Sequence, residues 1–172
     1  GYVDLKTAIK ESCDVYFYEV ARKLGVDRLS ETSKQFGLGD KVLEGFLEEK
    51  KGIVPNTSWK KRVMGKNWYL GETLHSGIGQ GYWQTTPLQL CLMTAQIANG
   101  GYKIKPRMIL GEENFDELED FIKNKEIYKD DISILENLLS KYKYKSLFRN
   151  QENINFVKDS LSAATNEPRV TS

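Results

Sequence analysis

The stretch Gly77-Ile-Gly-Gln-Gly-Tyr-Trp-Gln-Thr-Thr-Pro-Leu-Gln-Leu90 decides how the rest of the chain is read. Glycines at alternate positions, Gly77, Gly79 and Gly81, permit positive φ and close approach of neighbouring backbone. Tyr82 and Trp83 add aromatic bulk, and a helix start follows. The Thr86 hydroxyl is placed to cap that helix, and Pro87 suits its first position because the missing N–H would have no partner there. Leu88, Leu90, Cys91, Leu92, Met93, Ala95, Ile97 and Ala98 leave almost no polar face, which predicts a buried helix. Asn99-Gly100-Gly101 ends it. A glycine loop before a helix raises the question of phosphate binding. The dinucleotide fingerprint is not met, because the third glycine falls at Gly81, one residue early, and no parallel-sheet strand leads into it. No Gly-Lys-Ser/Thr follows, which excludes a P-loop. On spacing alone the loop reads as a structural turn.

Working outward, 172 residues fit one domain with a real core. Lys and Arg number 25 against 24 Asp and Glu, a net charge of +1, so nothing electrostatic points to nucleic acid. No apolar run is long enough to cross a bilayer. No signal peptide is visible and the chain opens on Gly1 rather than Met, so the expectation is an excised piece of a longer protein, with targeting information outside it. Cys13 and Cys91 form neither a CxxC nor a disulfide framework. His75, the single histidine, rules out a His-rich metal cluster within this chain and reads as an ordinary loop residue.

The first segment predicts two helices separated at Ser12-Cys13-Asp14. Asp4 is placed to cap the first, through Leu5, Ala8 and Ile9. Asp14 is expected to cap the second, whose Phe17, Val20, Ala21 and Leu24 follow helical spacing up to Gly25. A third helix is expected from Asp27 to Phe36, closed by Gly37. From Leu38 to Ser76 the periodicity is poor, with a polar helical turn at Glu44–Lys51. Lys60, Lys61, Arg62 and Lys66 read as a solvated basic face. Trp59, Trp68 and Tyr69 are expected to pin this connection to the body. Tyr102–Leu110 looks extended, with Pro106 at an edge. Residues 111–150 read as a surface elaboration with weak helices near Leu118–Ile122 and Ile132–Leu139. A final amphipathic helix carries Ile154, Val157, Leu161 and Ala164.

Few residues offer chemistry. Ser12 and Asp14 flank Cys13 at a helix start, where free N–H groups create positive potential. A hydroxyl held there can relay protons or bind an anion, and both residues also serve as plain caps. The same potential favours a Cys13 thiolate, but no histidine base lies nearby in sequence. Ser58-Trp-Lys-Lys61 is a literal Ser-x-x-Lys. Its lysine would need a desolvated site to act as a base. It stands instead in a basic, Pro/Asn-rich stretch and reads as a coincidence.

Together, Ser12-Cys-Asp-Val-Tyr-Phe-Tyr18, Phe36-Gly-Leu-Gly39, Gly77–Leu90 and Ala98-Asn-Gly-Gly101 resemble the transpeptidase domain of the elongation-type class B penicillin-binding proteins, the penicillin-binding protein 2 branch. The Phe156–Leu161 and Thr165-Asn-Glu-Pro168 segments resemble the stretch ahead of that family's Lys-Ser/Thr-Gly strand. The likeness covers residues 1–110 well and 151–172 moderately; between them it is silent. It implies an α/β fold of the serine transpeptidase and β-lactamase-like type, present here as a helix-rich partial domain with few strands.

The resemblance also implies an activity. The family is a peptidoglycan D,D-transpeptidase in which a serine attacks the D-Ala-D-Ala bond of a stem peptide, forms an acyl-enzyme, and yields it to a neighbouring stem's amine; β-lactams trap the serine. Of its motifs, only Ser-x-Asn/Asp matches here. Ser12 would then pass a proton between the catalytic lysine and the leaving nitrogen, and Asp14 would hold substrate amide and lysine. The nucleophile would precede Gly1, and no Lys-Ser/Thr-Gly occurs, so this chain alone is expected to be inactive. Ser58 comes after the Ser-x-Asp motif, which marks it as a decoy. Some relatives bind zinc with a cysteine at the central position and three ligands upstream; Cys13 matches that cysteine, against the alternative of a buried structural thiol, and no cofactor is required. The implied partners are stem peptides, β-lactams and the membrane glycosyltransferase of the elongation complex, with the protein in the bacterial inner membrane and this domain in the periplasm. A non-catalytic scaffold of the elongation machinery and a D,D-carboxypeptidase are the alternatives.

Overall fold

The structure is a computed structural model that describes residues 3–43, 46–106, 146–148 and 150–168. The expected helices near Leu118–Ile122 and Ile132–Leu139, and the extended stretch beyond Pro106, lie outside these residues. Within them the chain folds as α1 (Leu5–Lys10), α2 (Asp14–Leu24), α3 (Val26–Gln35), α4 (Thr57–Met64), α5 (Leu70–Gly77), α6 (Pro87–Ala98) and α7 (Gln151–Asn166). Among the described residues β structure is limited to isolated antiparallel bridges, Ile53 with Gln84 and Tyr102 with Ser146. The expectation of the helical part of an α/β domain holds.

Local punctuation sets most boundaries. The Asp4 carboxylate accepts from the Thr7 amide at 2.8 Å and starts α1. Thr86 and Gln89 form a reciprocal capping box at the start of α6, with Pro87 in the first turn. The α3 start differs from expectation: Gly25 is its cap, and Asp27 inside the first turn instead accepts from the amide and hydroxyl of Thr57, tying α3 to α4.

Packing centres on Ala8, Ala21, Val26, Leu38, Val54, Leu92, Ile154 and Ala163. α5 lies along α2, and α7 lies along α1. The α7 face against the core differs from the one expected. Ile154, Ser160 and Ala163 are buried, whereas Leu161 is 46% exposed and Ala164 is exposed. The buried positions of α7 at 160 and 163 carry small side chains, as does the fully buried Ala8 of the neighbouring α1, and the Ser160 hydroxyl is satisfied by the Phe156 carbonyl at 2.7 Å. Lys6 and Lys10 of α1 meet Glu167 just past the end of α7, at 3.0 and 3.4 Å.

The expectation of a fully buried α6 is not met. Leu90 is 44% exposed, Cys91 and Ala98 are exposed, and the inward positions are Gln89, Leu92 and Gln96. The reason is backbone accounting. The Gln89 amide donates to the carbonyls of Asp40 and Lys51, both at 2.8 Å. Gln96 donates to the Phe36 carbonyl at 2.9 Å and accepts from the Ile104 amide at 3.1 Å. Four backbone groups of the surrounding segments find their partners in these two buried glutamines. The inward face of α6 is therefore a polar staple for the loops around it.

Candidate functional site

Ser12 occupies an unusual backbone position. Its φ is +55°, the single non-glycine residue with positive φ among those described. The cause is the way α1 ends. The Ser12 amide donates to the Ile9 carbonyl at 3.3 Å and the Cys13 amide to the Ala8 carbonyl at 2.9 Å. These are the paired bonds of a Schellman closure, which places the residue after the C-cap in the left-handed region. Glycine normally fills that position, since an L-residue there costs roughly 1–2 kcal/mol. Here a serine does, and it is exposed.

The turn opens directly into α2. Cys13, half-buried, is both the last residue of the closure and the N-cap of α2, and its side chain makes no cap bond. Asp14 does not cap α2 as expected; it is the first helical residue, exposed, with its carboxylate in the first turn where the helix dipole favours negative charge. One tight turn thus presents a hydroxyl and a carboxylate at the mouth of α2. Among the described residues neither group has a hydrogen-bond or ion-pair partner.

The other residues singled out from sequence lie elsewhere. Ser58 and Lys61 are both exposed on α4, with the Lys61 ammonium 3.5 Å from Asn67 Oδ1 rather than desolvated against Ser58. His75 sits in the last turn of α5, a helix and not a loop, and is exposed. For a metal, Cys13 offers a single thiol, and among the described residues no three His, Cys, Asp or Glu side chains come together. A cavity of about 460 Å³ bounded by Gly37, Val42, Leu92, Gln96 and Ile104 does not include the Ser12 turn.

The glycine loop divides its labour. Gly79 and Gly81 have φ of +72° and +85°, which lets the chain reverse over His75, whose carbonyl accepts from Ile78 and Gln80. Gly77 serves contact instead. A Cβ there would lie 2.5 Å from Ala21 Cβ and 2.9 Å from the Phe17 carbonyl oxygen, so α5 touches α2 backbone to backbone. The loop seats α5 on the helix that begins at Asp14.

Comparison with known proteins identifies the family. The penicillin binding protein transpeptidase domain matches residues 1–151. The chain belongs to that family. Among relatives of the family, the peptidoglycan D,D-transpeptidase MrdA of Salmonella typhimurium is 42% identical over 114 residues, covering 66% of this chain and 18% of the relative. MrdA of Acinetobacter baumannii is 40% identical over 109 residues, covering 63% and 16%. The chain therefore spans less than a fifth of the curated relatives it matches. Among solved structures, PBP2 of Pseudomonas aeruginosa in complex with WCK 5153 shares 48% identity at a TM-score of 0.60, over 62% of this chain and 23% of that one. PBP2 of Helicobacter pylori in complex with MreC shares 26% identity at a TM-score of 0.73, over 98% of this chain and 27% of that one. The penicillin-binding transpeptidase fold expected from the motifs is thereby established.

Sequence reading missed one feature of this family member. Lys60, assigned to a solvated basic run, is 2% exposed. Its ammonium pairs with Glu72 and sits over the rings of Tyr69, Trp68 and Tyr82, at 4.7, 5.8 and 5.8 Å from their centroids. Burial opposes ionisation of Glu72, but hydrogen bonds from Lys60, the Tyr69 amide and the Tyr82 hydroxyl, with the Lys60 charge, outweigh it and hold the carboxyl below its ordinary 4.5. A carboxylate with a depressed folded pKa adds stability that is complete above the unfolded value and is lost as pH falls through the folded one. Glu72→Gln is therefore expected to lower stability at neutral pH and to flatten its decline below about pH 4.5, read from urea midpoints across the acid range. A variant with the parental slope would remove Glu72 from the acid response.

Proposed function

We propose that the protein carrying this chain is a peptidoglycan D,D-transpeptidase that cross-links stem peptides through a serine acyl-enzyme during cell elongation. The observation that carries this reading is the Ser12 turn: an exposed serine held at φ +55°, beside an exposed Asp14, at the first turn of α2. In this reading the Ser12 hydroxyl takes and returns the proton that moves between the catalytic lysine and the leaving nitrogen, and Asp14 holds that lysine and a substrate amide by hydrogen bonds. The nucleophilic serine and its lysine are supplied by the longer protein. Ser58 takes no part, because Lys61 remains solvated. The names of the MrdA relatives and the match over residues 1–151 support the reading.

The same proposal extends to partners and place. The domain works in the periplasm, where peptidoglycan lies, on a protein held in the inner membrane. Among the described residues no helix is long and apolar enough to cross a membrane, so the anchor is supplied elsewhere in the protein. The Helicobacter pylori relative is solved with MreC, and another relative within a peptidoglycan synthase complex, which supports assembly with a membrane glycosyltransferase of the elongation machinery.

A fluorescent penicillin tests the reading. The full-length protein is expected to take up one label, equally in a Ser58→Ala variant, and residues 1–172 alone are expected to take up none. Label on Ser58 would overturn the assignment of roles, and a full-length protein that takes no label would favour a non-catalytic scaffold. Product analysis with and without an acceptor amine separates a transpeptidase from a D,D-carboxypeptidase, which releases D-Ala to water.

A further inference from the structure

The Lys60–Glu72 pair connects parts of the chain that no motif links. The Glu72 carboxylate gathers donors from separate elements. Oε1 accepts from the Lys60 ammonium on α4 and, at 3.1 Å, from the hydroxyl of Tyr82 beyond the glycine loop. Oε2 accepts from the Tyr69 amide at 2.8 Å, so the Glu72 side chain holds the N-cap backbone of α5. Trp59 packs against Tyr82 with centroids 5.4 Å apart and the rings tilted by 51°, and Trp68 donates to the buried Thr73 hydroxyl at 2.8 Å. The N-terminal turn of α5 and the residue after the Gly77–Gly81 loop are thus fixed to one carboxylate.

The other end of α5 is fixed to α2. Gly77 leaves no room for a Cβ against Phe17 and Ala21, and the buried Thr73 and Ser76 keep the same face of α5 small. Glu72 and Gly77 are five residues apart, about 7.5 Å along a helix axis, and Phe17 is three residues, about 4.5 Å, from Asp14. α5 is therefore a short strut between the ion pair and the helix that presents Ser12 and Asp14. A buried pair generally adds little stability over well-packed apolar residues of the same volume, so its use here is to select one geometry.

We propose that Lys60 and Glu72 are positioning residues for the reaction: they set the seat of α5 on α2 and thereby the placement of the Ser12–Asp14 turn. This rests on the transpeptidase reading above. The pair does not touch substrate. It determines whether the relay hydroxyl and the carboxylate stand where the reacting groups need them, and small misplacements of such groups lower rates by large factors.

The test uses the full-length protein and separates the acylation rate constant from the dissociation constant of the noncovalent penicillin complex. Removing one partner strands a buried charge, so the informative variant is Lys60→Met with Glu72→Met, which removes both charges together. It is expected to remain folded by circular dichroism, with its acylation rate constant at least about tenfold lower and its dissociation constant within about twofold of the parent. Tyr82→Phe keeps the ring contact and deletes one bond to Glu72; it is expected to slow acylation about threefold while the thermal midpoint falls by no more than about 2–6 °C, leaving the protein folded at the assay temperature. A folded double variant that acylates at the parental rate overturns the proposal. If the double variant does not fold, Tyr82→Phe decides, and a parental rate there overturns it equally. An unsubstituted protein that takes no penicillin overturns the transpeptidase reading itself and this inference with it.

Discussion

Ser12→Gly is expected to make the full-length protein more stable and a far poorer transpeptidase. The stability half follows from φ +55° at Ser12. Relief of left-handed strain is worth roughly 1–2 kcal/mol, and the extra freedom of glycine in the unfolded chain returns about 0.4–1 kcal/mol of it. A net gain near 0.5–1 kcal/mol raises the midpoint of a domain of this size by about 1–4 °C. The activity half follows from the proposed proton relay: loss of a positioned acid–base group lowers the acylation rate by about 10²–10⁴-fold. Ser12→Ala is the control. It loses the hydroxyl but keeps the Cβ, so it is expected to match glycine in acylation and the parent in midpoint. Parental acylation in both variants would remove Ser12 from the mechanism. A lower midpoint in Ser12→Gly would show that the left-handed turn carries no strain.

That pairing is the physical content of the candidate site. A Schellman closure asks for glycine, and a chain selected for stability alone would place glycine at 12. Strain kept at an exposed position, beside an exposed carboxylate, is the pattern of a residue retained for what it does. A serine serving only as a helix cap would show extended φ and a bond to a first-turn amide, as Asp4 does with φ −82° and the Thr7 amide.

What the sequence revealed depended on how local the cause was. Asp4, Thr86, Pro87, Gly25 and Asn99 act on their own helix ends, so their roles were legible from neighbouring residues. The break at Ser12–Asp14 was legible as a break, but its geometry was not. The available signal was the lack of any Gly or Asn between the helices, which forces an ordinary residue into the left-handed region. Gln89 and Gln96 were illegible because their partners, Asp40, Lys51, Phe36 and Ile104, come from distant loops. An apolar pattern with glutamines seven residues apart looks like a helix buried all round until those carbonyls are counted. Lys60 was hidden by its neighbours Lys61, Arg62 and Lys66. The signal there was aromatic: Trp59, Trp68, Tyr69 and Tyr82 surround a basic run that has Glu72 in reach.

Two alanines in one helix are expected to act in opposite directions. Gly71 and Gly77 both lie in α5. A Cβ at Gly71 meets nothing within 4 Å, so Gly71→Ala gains only helix propensity, about 0.5–1 kcal/mol. A Cβ at Gly77 meets Ala21 Cβ at 2.5 Å and the Phe17 carbonyl oxygen at 2.9 Å. Neither is the end of a flexible side chain, so relief requires α5 to move off α2 by roughly 1 Å to restore a carbon–carbon contact of about 3.5 Å. Forcing extra volume into such a contact costs typically 1–3 kcal/mol, more than propensity returns. Gly77→Ala is expected to lower the domain's thermal midpoint by several degrees, at about 2–4 °C per kcal/mol, while Gly71→Ala raises it slightly. The displacement falls on the helix that begins at Asp14, so Gly77→Ala is also expected to slow penicillin acylation about tenfold or more, under conditions where the variant is fully folded. Gly71→Ala leaves the rate unchanged. Equal midpoints for the two variants would show that α5 and α2 do not touch through Gly77. A destabilised Gly77→Ala that acylates at the parental rate would show that the contact supports the fold without placing the Ser12 turn.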